Sequence, residues 1–256
     1  MSVTTFVPWT GVSGTLAAGV WPDNRRAAVS LTYDDGLNSQ LDNVLPQLDA
    51  MGLKATFFLT MENMKARAAD WRRAALGGHE MADHTATHPC MLSRFSAAAF
   101  KRTQLEPTER FNNENFGPDR IRTFAYPCGL DGLGIGSPRR RHARYVAALS
   151  GSFSAARTVN GPPNDPRSAV AQRFGLHALE PTYDADTPRL AIRYLTSALR
   201  QAGWAILVFH DVFPRRRMVG ETSLVVHQAI LEWIAAKPLW CAPMGKAFDH
   251  ISRTVV

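Results

Sequence analysis

The chain has 256 residues, 45% hydrophobic and 20% charged, which is the composition of a globular protein with room for one large domain. Lys and Arg outnumber Asp and Glu by 29 to 22, so polyanions or acidic glycans would be attracted, but no specific nucleic acid is indicated. Three cysteines without a Cys-x-x-Cys pair exclude a disulfide framework and allow one bridge at most. No stretch approaches the ~20 apolar residues of a membrane span, and the oligomeric state stays open.

Residues 1–26 are predicted to be an irregular N-terminal arm, because their periodicity is weak and glycines and prolines recur. Residues 27–256 are predicted to form a single catalytic domain. Residues 1–20 lack a charged region before a long apolar run, so we expect no export signal and a cytoplasmic protein. A polymer outside the cell would instead require that a signal had been removed, and the sequence leaves the compartment open.

Short apolar runs alternate with helical patterns from residue 27 onward, which indicates a parallel sheet in an α/β barrel. The predicted strands are Ala27–Tyr33, Ala55–Leu59, His79–Asp83, Ile121–Tyr126, Ser152–Ala156, Ala205–Phe209 and Leu239–Cys241. The predicted helices are Gln40–Met51, Asn63–Leu76, Ser93–Asn112, Pro188–Ala202 and Thr222–Ala236. Apart from its short strand, the segment 129–188 is predicted to be long loops. Two arginine runs, 139–141 and 215–217, each follow a proline and are interpreted as solvated loop or first-turn residues.

Polar residues follow three of the predicted strands: Asp34 and Asp35 the first, Cys128 the fourth and His210 the sixth. In a parallel barrel the carboxyl ends of the strands form the catalytic face, so these distant groups would converge on one rim.

The pair Asp34 and Asp35 precedes Gly36, which permits a sharp turn where the strand ends. Strand alternation alone would send the two carboxylates to opposite faces, but such a turn allows both to reach one cavity. One could then ligate a metal ion while the other accepts a proton. The alternative is an ordinary surface turn.

The histidines of His84-Thr85-Ala86-Thr87-His88 are four residues apart, and with Asp35 they offer two nitrogens and one oxygen to a metal. Pro89 disfavours a helix at His88, so a tight turn is predicted, with Thr85 able to cap it. This ligand set suits zinc or a similar divalent ion and leaves positions open for water and substrate. The alternative is two surface histidines, and His79 is interpreted as structural.

His210 ends the apolar run Ala205–Phe209, so its ring should emerge at the rim rather than in the core. An acidic neighbour would keep its pKa high and make it a general acid for a leaving amine or alkoxide. The alternative is a structural histidine that closes a strand.

Three segments in this order resemble motifs of the polysaccharide deacetylases, that is, carbohydrate esterase family four with its chitooligosaccharide deacetylase homology domain. The segments are Leu31–Gly36, Gly78–His88 and Leu207–Asp211. The resemblance implies a distorted (β/α)7 barrel. It also implies Asp34 as base, Asp35, His84 and His88 as metal ligands, and His210 as acid. The metal would be zinc, with cobalt or nickel as alternatives.

The third family motif, commonly Arg-Pro-Pro-Tyr-Gly, stands here as Ala125-Tyr126-Pro127-Cys128-Gly129. Tyr126 and Cys128 are predicted to line the substrate site, with the backbone N–H of Cys128 stabilising an oxyanion. The Cys128 side chain is predicted to be small and buried rather than a reactive thiol. Arg122 cannot replace the missing arginine, because three residues along a strand reverse the face. The orientation of Asp34 is thereby left open.

The fourth family motif, an Asp and a Trp that tune the acid, has no clear counterpart. The polar candidates in that region are Arg157, Asn160 and Asp165, and the role stays unassigned.

The predicted function is a metal-dependent hydrolase that removes N- or O-acetyl groups from an acetylated poly- or oligosaccharide. The absence of a Gly-x-Ser-x-Gly elbow argues against a serine esterase. Two alternatives remain. One is hydrolysis of a non-sugar amide or cyclic imide at the same site, and the other is a catalytically silent protein that binds carbohydrate or polyanions.

Overall fold

The computed structural model describes residues 19–117, 122–183 and 187–255 of the chain. Within them lie the strands β1 (Ala27–Asp35), β2 (Thr56–Leu59), β3 (Glu80–Asp83), β4 (Thr123–Ala125), β5 (Ala155–Arg157), β6 (Trp204–Phe209), β7 (Val212–Phe213), β8 (Thr222–Ser223) and β9 (Leu239–Cys241). The α-helices are α1 (Leu45–Ala50), α2 (Met61–Ala66), α3 (Ala68–Leu76), α4 (Ala97–Phe100), α5 (Glu106–Phe116), α6 (Pro138–Leu149), α7 (Pro166–Ala171), α8 (Thr187–Arg200), α9 (Leu224–Ala235) and α10 (Met244–Thr254). Two π-helical turns, Gln40–Val44 and Lys101–Leu105, lead into α1 and α5.

Within the described residues, the main sheet has seven parallel strands in the order β5-β4-β3-β2-β1-β6, with β9 also paired to the first half of β1. The segment 176–179 lies between the outer strands and closes the sheet into a distorted barrel. Leu176 bridges to Arg157 on β5, and Leu179 bridges to Leu207 on β6. The (β/α)-barrel architecture predicted from the sequence is confirmed.

Strand alternation divides the core into two sides. On β1 the odd-numbered residues, such as Leu31, pack against the helices together with Trp71 of α3 and Leu195 of α8. The even-numbered Ala28 faces the barrel interior, where Phe58 of β2 also packs. β1 and β6 are buried along almost their whole length, as expected of parallel strands covered on both faces. The even-numbered residues at the carboxyl end of β1 therefore point into the barrel mouth.

The predicted strands and most predicted helices occur within a few residues of their expected bounds. The prediction of long loops over residues 129–188 is wrong, because that segment contains α6 and α7. Helix α6 opens with Pro138 and three arginines, so its apolar stripe begins only at Tyr145 and is hidden from a periodicity search. Helix α10 was also not predicted. Most of the predicted N-terminal arm, residues 1–18, lies outside the described residues.

The two arginine runs are mostly solvated, as the sequence predicted, because Arg139, Arg140, Arg215 and Arg217 are exposed. Residues 139–141 do form the first turn of α6, but Arg141 donates to the carbonyl of Gly132 at 3.0 Å. In the second run, Arg216 donates to the carbonyl of Thr182 at 2.9 Å, and Arg217 pairs with Glu221 at 2.9 Å. These side chains therefore hold loops to their neighbours, in addition to adding surface charge.

One disulfide, Cys90–Cys128, joins the loop after β3 to the loop after β4. The single bridge agrees with the cysteine count, whereas the prediction of a small buried side chain at Cys128 is wrong, since the residue is exposed and oxidised. The third cysteine, Cys241, is free and half-buried on β9. Across the described residues, the structure contains no helix that combines the length and apolar character needed to cross a membrane.

Candidate metal and catalytic site

The carboxyl ends of the barrel strands carry a cluster of ionisable side chains. Asp34 continues the interior series of β1, His84 that of β3, Arg157 that of β5 and His210 that of β6. Strand alternation thus sends all four side chains into one mouth. Glu180, the residue directly after the segment 176–179 that closes the barrel, also lies beside this cluster.

The turn Asp34-Asp35-Gly36 brings both carboxylates to the site, as predicted. Asp35 and Gly36 both have left-handed backbone conformations, with φ of 76° and 71°. A Cβ atom at Gly36 would lie 2.9 Å from a methyl of Leu59, so glycine is required there. As a result, an Oδ atom of Asp34 and one of Asp35 each lie 3.8 Å from His84 Nε2.

The segment after β3 forms the predicted tight turn rather than a helix. Asp83 Oδ1 accepts from the Thr85 N–H at 2.7 Å, and Thr85 Oγ1 accepts from the His88 N–H at 3.0 Å. Thr85 and His88 both have positive φ, so these bonds hold a conformation that the residues would not favour alone. The imidazole rings of His84 and His88 end 4.6 Å apart, edge to face.

Asp35, His84 and His88 form a group whose ligand atoms lie within 4.8 Å of one another. His88 Nε2 is 3.8 Å from Asp35 Oδ1, slightly wider than the roughly 3.3–3.6 Å between two atoms that ligate one tetrahedral ion at about 2.0–2.2 Å. His84 Nδ1 donates to the carbonyl of Ala125 at 2.8 Å, which leaves the lone pair of Nε2 facing the carboxylates. Burial lowers the pKa of His84, so its ring is neutral near pH 7 and able to bind a metal. The donor set and the fixed tautomer fit a divalent ion.

Asp34 is paired with a buried arginine from a distant part of the sequence. Arg157 Nη2 donates to Asp34 Oδ1, and both side chains are almost fully buried. The guanidinium lies 4.6 Å above the ring centre of Phe58. Burial alone would raise the pKa of Asp34, but the charges of Arg157, His84 and His210 lower it below its ordinary value. Asp34 is therefore ionised at neutral pH and held in one orientation.

Arg157 also takes the place of the arginine that the third motif lacks at Ala125. β4 and β5 pair with Ala125 directly opposite Arg157, so both residues project to the same face of the sheet. The neighbouring strand therefore supplies a guanidinium where β4 has only a methyl group. Arg122, as expected, points away and donates to the carbonyl of Gly117 at 2.9 Å.

His210 forms an ion pair with Glu180, with 2.9 Å between Nδ1 and Oε1. Burial alone would lower the pKa of His210, but Glu180, together with the charges of Asp34 and Asp35, raises it to about 9. The ring is therefore protonated at neutral pH. The acidic neighbour expected from the sequence is Glu180.

Five other residues considered in the sequence analysis lie outside this cluster of ionisable side chains. The Tyr126 side chain is buried in the core and donates to the carbonyl of Phe174 at 2.9 Å, so it does not face substrate. The Cys128 side chain is committed to the disulfide, and the oxyanion role of its N–H stays a prediction. Asp165 caps α7 by accepting from Ser168 N at 2.9 Å, and Asn160 lies in a left-handed turn. His79 is structural, as predicted, and accepts from the N–H of Ala55 at 3.3 Å.

Sequence reasoning did not assign Arg157 or Glu180, although a signal existed for both. Arg157 ends the short apolar run Ala155-Ala156, and Glu180 ends Leu176-His177-Ala178-Leu179, which is apolar apart from His177. The rule that selected Asp34 and His210 selects them too, once those runs are recognised as strand positions of the barrel.

Residues 22–134 match the family model described as polysaccharide deacetylase. A peptidoglycan-N-acetylglucosamine deacetylase of Bacillus cereus is 34% identical over 100 residues, covering 38% of this chain and 36% of that protein. A candidate polysaccharide deacetylase structure from Mycobacterium smegmatis matches with a TM-score of 0.68 at 16% identity, over 92% of this chain and 93% of that one. A mutant of a family 4 carbohydrate esterase pseudoenzyme, described as having restored activity, matches with a TM-score of 0.59 at 18% identity, over 87% and 68%.

These matches differ in what they cover. The chain spans between 5% and 36% of the lengths of three curated relatives that it matches. The two structural matches lie below 25% identity and show the fold. The family-model segment contains Asp34, Asp35, His84 and His88, whereas Arg157, Glu180 and His210 lie beyond its end.

Replacing Arg157 with methionine should destabilise the protein by about 3–5 kcal/mol at pH 7, because Asp34 would remain buried without its cation. Asp34 has a lowered pKa in the folded protein, so its pairing stabilises the fold above its unfolded pKa of about 3.9 and is lost as the pH falls. The deficit of Arg157→Met should therefore shrink below about pH 4. Urea unfolding at pH 7 and pH 3.5 measures this difference in the free energy of unfolding between the variant and the wild type.

The double variant Arg157→Met with Asp34→Asn is the matched control, because it removes the unpaired charge as well. It should be more stable at pH 7 than Arg157→Met alone. Equal stability of the two variants would contradict the pairing.

Replacing Glu180 with glutamine should bring the pKa of His210 well below 9, as followed by NMR titration of the ring. The folded pKa of His210 lies above its ordinary value of about 6.5, so the pair stabilises the fold below that pH and the effect is lost as the pH rises through about 9. Glu180→Gln should thus lose stability at pH 6 and little at pH 10. Asp131→Asn, which breaks the exposed His142 pair of the same 2.9 Å length, should change stability little at either pH. An unchanged titration of His210 would refute the assignment.

Proposed function

We propose, from the match of residues 22–134 to the polysaccharide deacetylase family model, that this chain is a metal-dependent hydrolase that removes acetyl groups from a carbohydrate. The observation that carries the proposal is that Asp34, paired with Arg157, and His210, paired with Glu180, lie beside three side chains that could hold a metal ion. Two groups whose surroundings push their pKa values apart are the usual assignment of base and acid.

Asp35, His84 and His88 are the proposed metal ligands. A divalent ion held there would polarise the acetyl carbonyl and lower the pKa of a water molecule. Zinc is the first choice for two imidazoles and a carboxylate, with cobalt and nickel as alternatives.

The two catalytic side chains act on protons at opposite ends of the reaction. Asp34 Oδ2 accepts the proton of the attacking water, since Arg157 occupies Oδ1 and keeps the carboxylate charged. His210 gives its proton to the departing nitrogen or oxygen, and Glu180 holds the ring in its charged form until then. The acetyl group leaves as acetate, and the sugar recovers a free amine or hydroxyl.

The alternative of a silent homologue has a precedent in the pseudoenzyme relative, which shares the fold. Against that alternative, every group that the mechanism needs is present here: a base, its orienting cation, three ligands, an acid and its partner. A non-sugar amide or imide remains a second substrate class for the same site.

The primary test is acetate release from N-acetylglucosamine oligomers and from acetylated xylan. The protein would be stripped with a chelator and then resupplied with zinc, cobalt or nickel. We expect no release from stripped protein and release restored by metal, with the two substrates separating amide from ester preference. Stoichiometric metal binding without acetate from either substrate would overturn the carbohydrate assignment and favour a small amide or imide.

The roles of single residues separate in metal binding and turnover. His84→Ala should weaken metal affinity by more than about 100-fold, because it removes a ligand. Asp34→Asn should keep metal affinity within about tenfold but lower kcat by about 10²–10⁴-fold, because the base is lost. Calorimetric titration with zinc measures the first quantity and acetate release the second. His142→Ala, at an exposed histidine paired with Asp131, should change neither. Full turnover by Asp34→Asn would rule out its role as base.

A further inference from the structure

A single buried glutamine joins the strand ends that carry the proposed base and acid. β1 and β6 are paired in register as far as Tyr33 and Phe209, so Asp34 and His210 lie just beyond the last pair. Gln40 Nε2 donates to the carbonyl of Asp34 at 2.5 Å and to the carbonyl of His210 at 3.3 Å. The side chain thus continues the connection between the two strands after their own ladder has ended.

Gln40 belongs to a turn whose side chains form several hydrogen bonds with the segment 210–212. It opens the π-helical turn Gln40–Val44 that follows the Asp-Asp-Gly sequence. Ser39 Oγ donates to Asp211 Oδ1 at 2.7 Å and accepts from the N–H of Val212 at 3.2 Å. Asn43 Nδ2 donates to the carbonyl of Val212 at 2.7 Å. One turn after β1 therefore contacts all three residues that follow β6.

The burial of Gln40 is poorly explained by stability alone. Its side chain is fully buried, and its Oε1 has no hydrogen-bond partner among the described residues. A buried acceptor without a partner costs free energy that offsets what the two donated bonds contribute. An apolar residue of the same length would avoid that cost, but it could not join the two carbonyls.

The metal side of the site is held by different side chains. Thr60 Oγ1 and Asn63 Nδ2 donate to the carbonyl of Asp35 at 3.0 and 2.9 Å. Asp34 and Asp35 are adjacent in sequence, yet their carbonyls are anchored to opposite neighbours, one toward β6 and the other toward α2. The support of the base and acid can therefore be altered separately from the support of a metal ligand.

We propose that Gln40, aided by Ser39, is a positioning residue that fixes the separation of Asp34 and His210, whereas Asn63 positions the metal ligand Asp35. The expected change in kcat rests on the proposed function, whereas the expected change in the separation of Asp34 and His210 does not. A shift of about 1 Å between reacting groups can lower the rate by about 100-fold. The amide of Gln40 matters because, among the described residues, no other side chain donates to both carbonyls.

The test compares Gln40→Met with Asn63→Ala. Gln40→Met should lower kcat by about 10–100-fold with KM and zinc affinity little changed. It should also shift the NMR titration of His210 in metal-free protein, because the distance to the charge of Asp34 is no longer fixed. Asn63→Ala should instead weaken zinc binding and shift the His210 titration less than Gln40→Met does, because the charge of Asp35 contributes less than that of Asp34 to the raised pKa of His210.

Gln40→Met that folds, as judged by its near-UV circular dichroism, and keeps both kcat and the His210 titration would overturn the proposal. If Gln40→Met does not fold, Ser39→Ala gives the same comparison, with a smaller expected change in the same direction. A wild-type protein without deacetylase activity would refute the proposed function alone, because the His210 titration still tests the positioning role.

Discussion

The buried ion pair between Asp34 and Arg157 is the interaction on which the site depends. A carboxylate in the mouth of a barrel cannot stay charged unless a cation shares its burial. Arg157 meets that need from β5, and its guanidinium is packed against Phe58 of β2, so the pair links strands from different parts of the barrel. With Asp34 fixed and charged, the neutral His84 and the charged His210 can each adopt their own protonation state nearby.

The rest of the site is organised by hydrogen bonds from neighbouring loops to the backbone of the strand ends. Ala125 fixes the tautomer of His84, Thr85 fixes the turn to His88, and Glu180 fixes the proton on His210. Ala125 is the last residue of β4, Thr85 lies in the turn after β3, and Glu180 follows the segment 176–179. The barrel thus provides both the reactive side chains and the groups that orient them through specific hydrogen bonds and an ion pair.

The sequence carried enough to predict part of this arrangement. Asp34, Asp35 and His210 were predicted because they come at the end of an apolar run that indicates a strand. Period-two alternation then gives the direction of their side chains. His84 and His88 were predicted from their spacing of four residues, which with Asp35 gives a set of metal ligands. Arg157 and Glu180 were not assigned, because their sequence signal is short and becomes clear only when the neighbouring strands are known. Arg157 contacts Asp34, which lies 123 residues away in the sequence. Glu180 follows a segment that joins β5 and β6 only through isolated bridges, so both roles depend on which strands are neighbours. Helix α6 was missed because arginines fill its first turn.

The Cys90–Cys128 bridge makes the walls of this mouth mechanically unequal. The loops after β3 and β4 are joined by a covalent bond close to His88, so they can move only as one body. The loop after β7 is held instead by polar contacts, such as those of Arg216 with Thr182 and of Arg217 with Glu221. Such contacts exchange with water far more readily than a disulfide opens. Under the proposed function, a substrate entering the mouth would therefore contact one wall held by a covalent bond and one wall held by polar contacts that can rearrange.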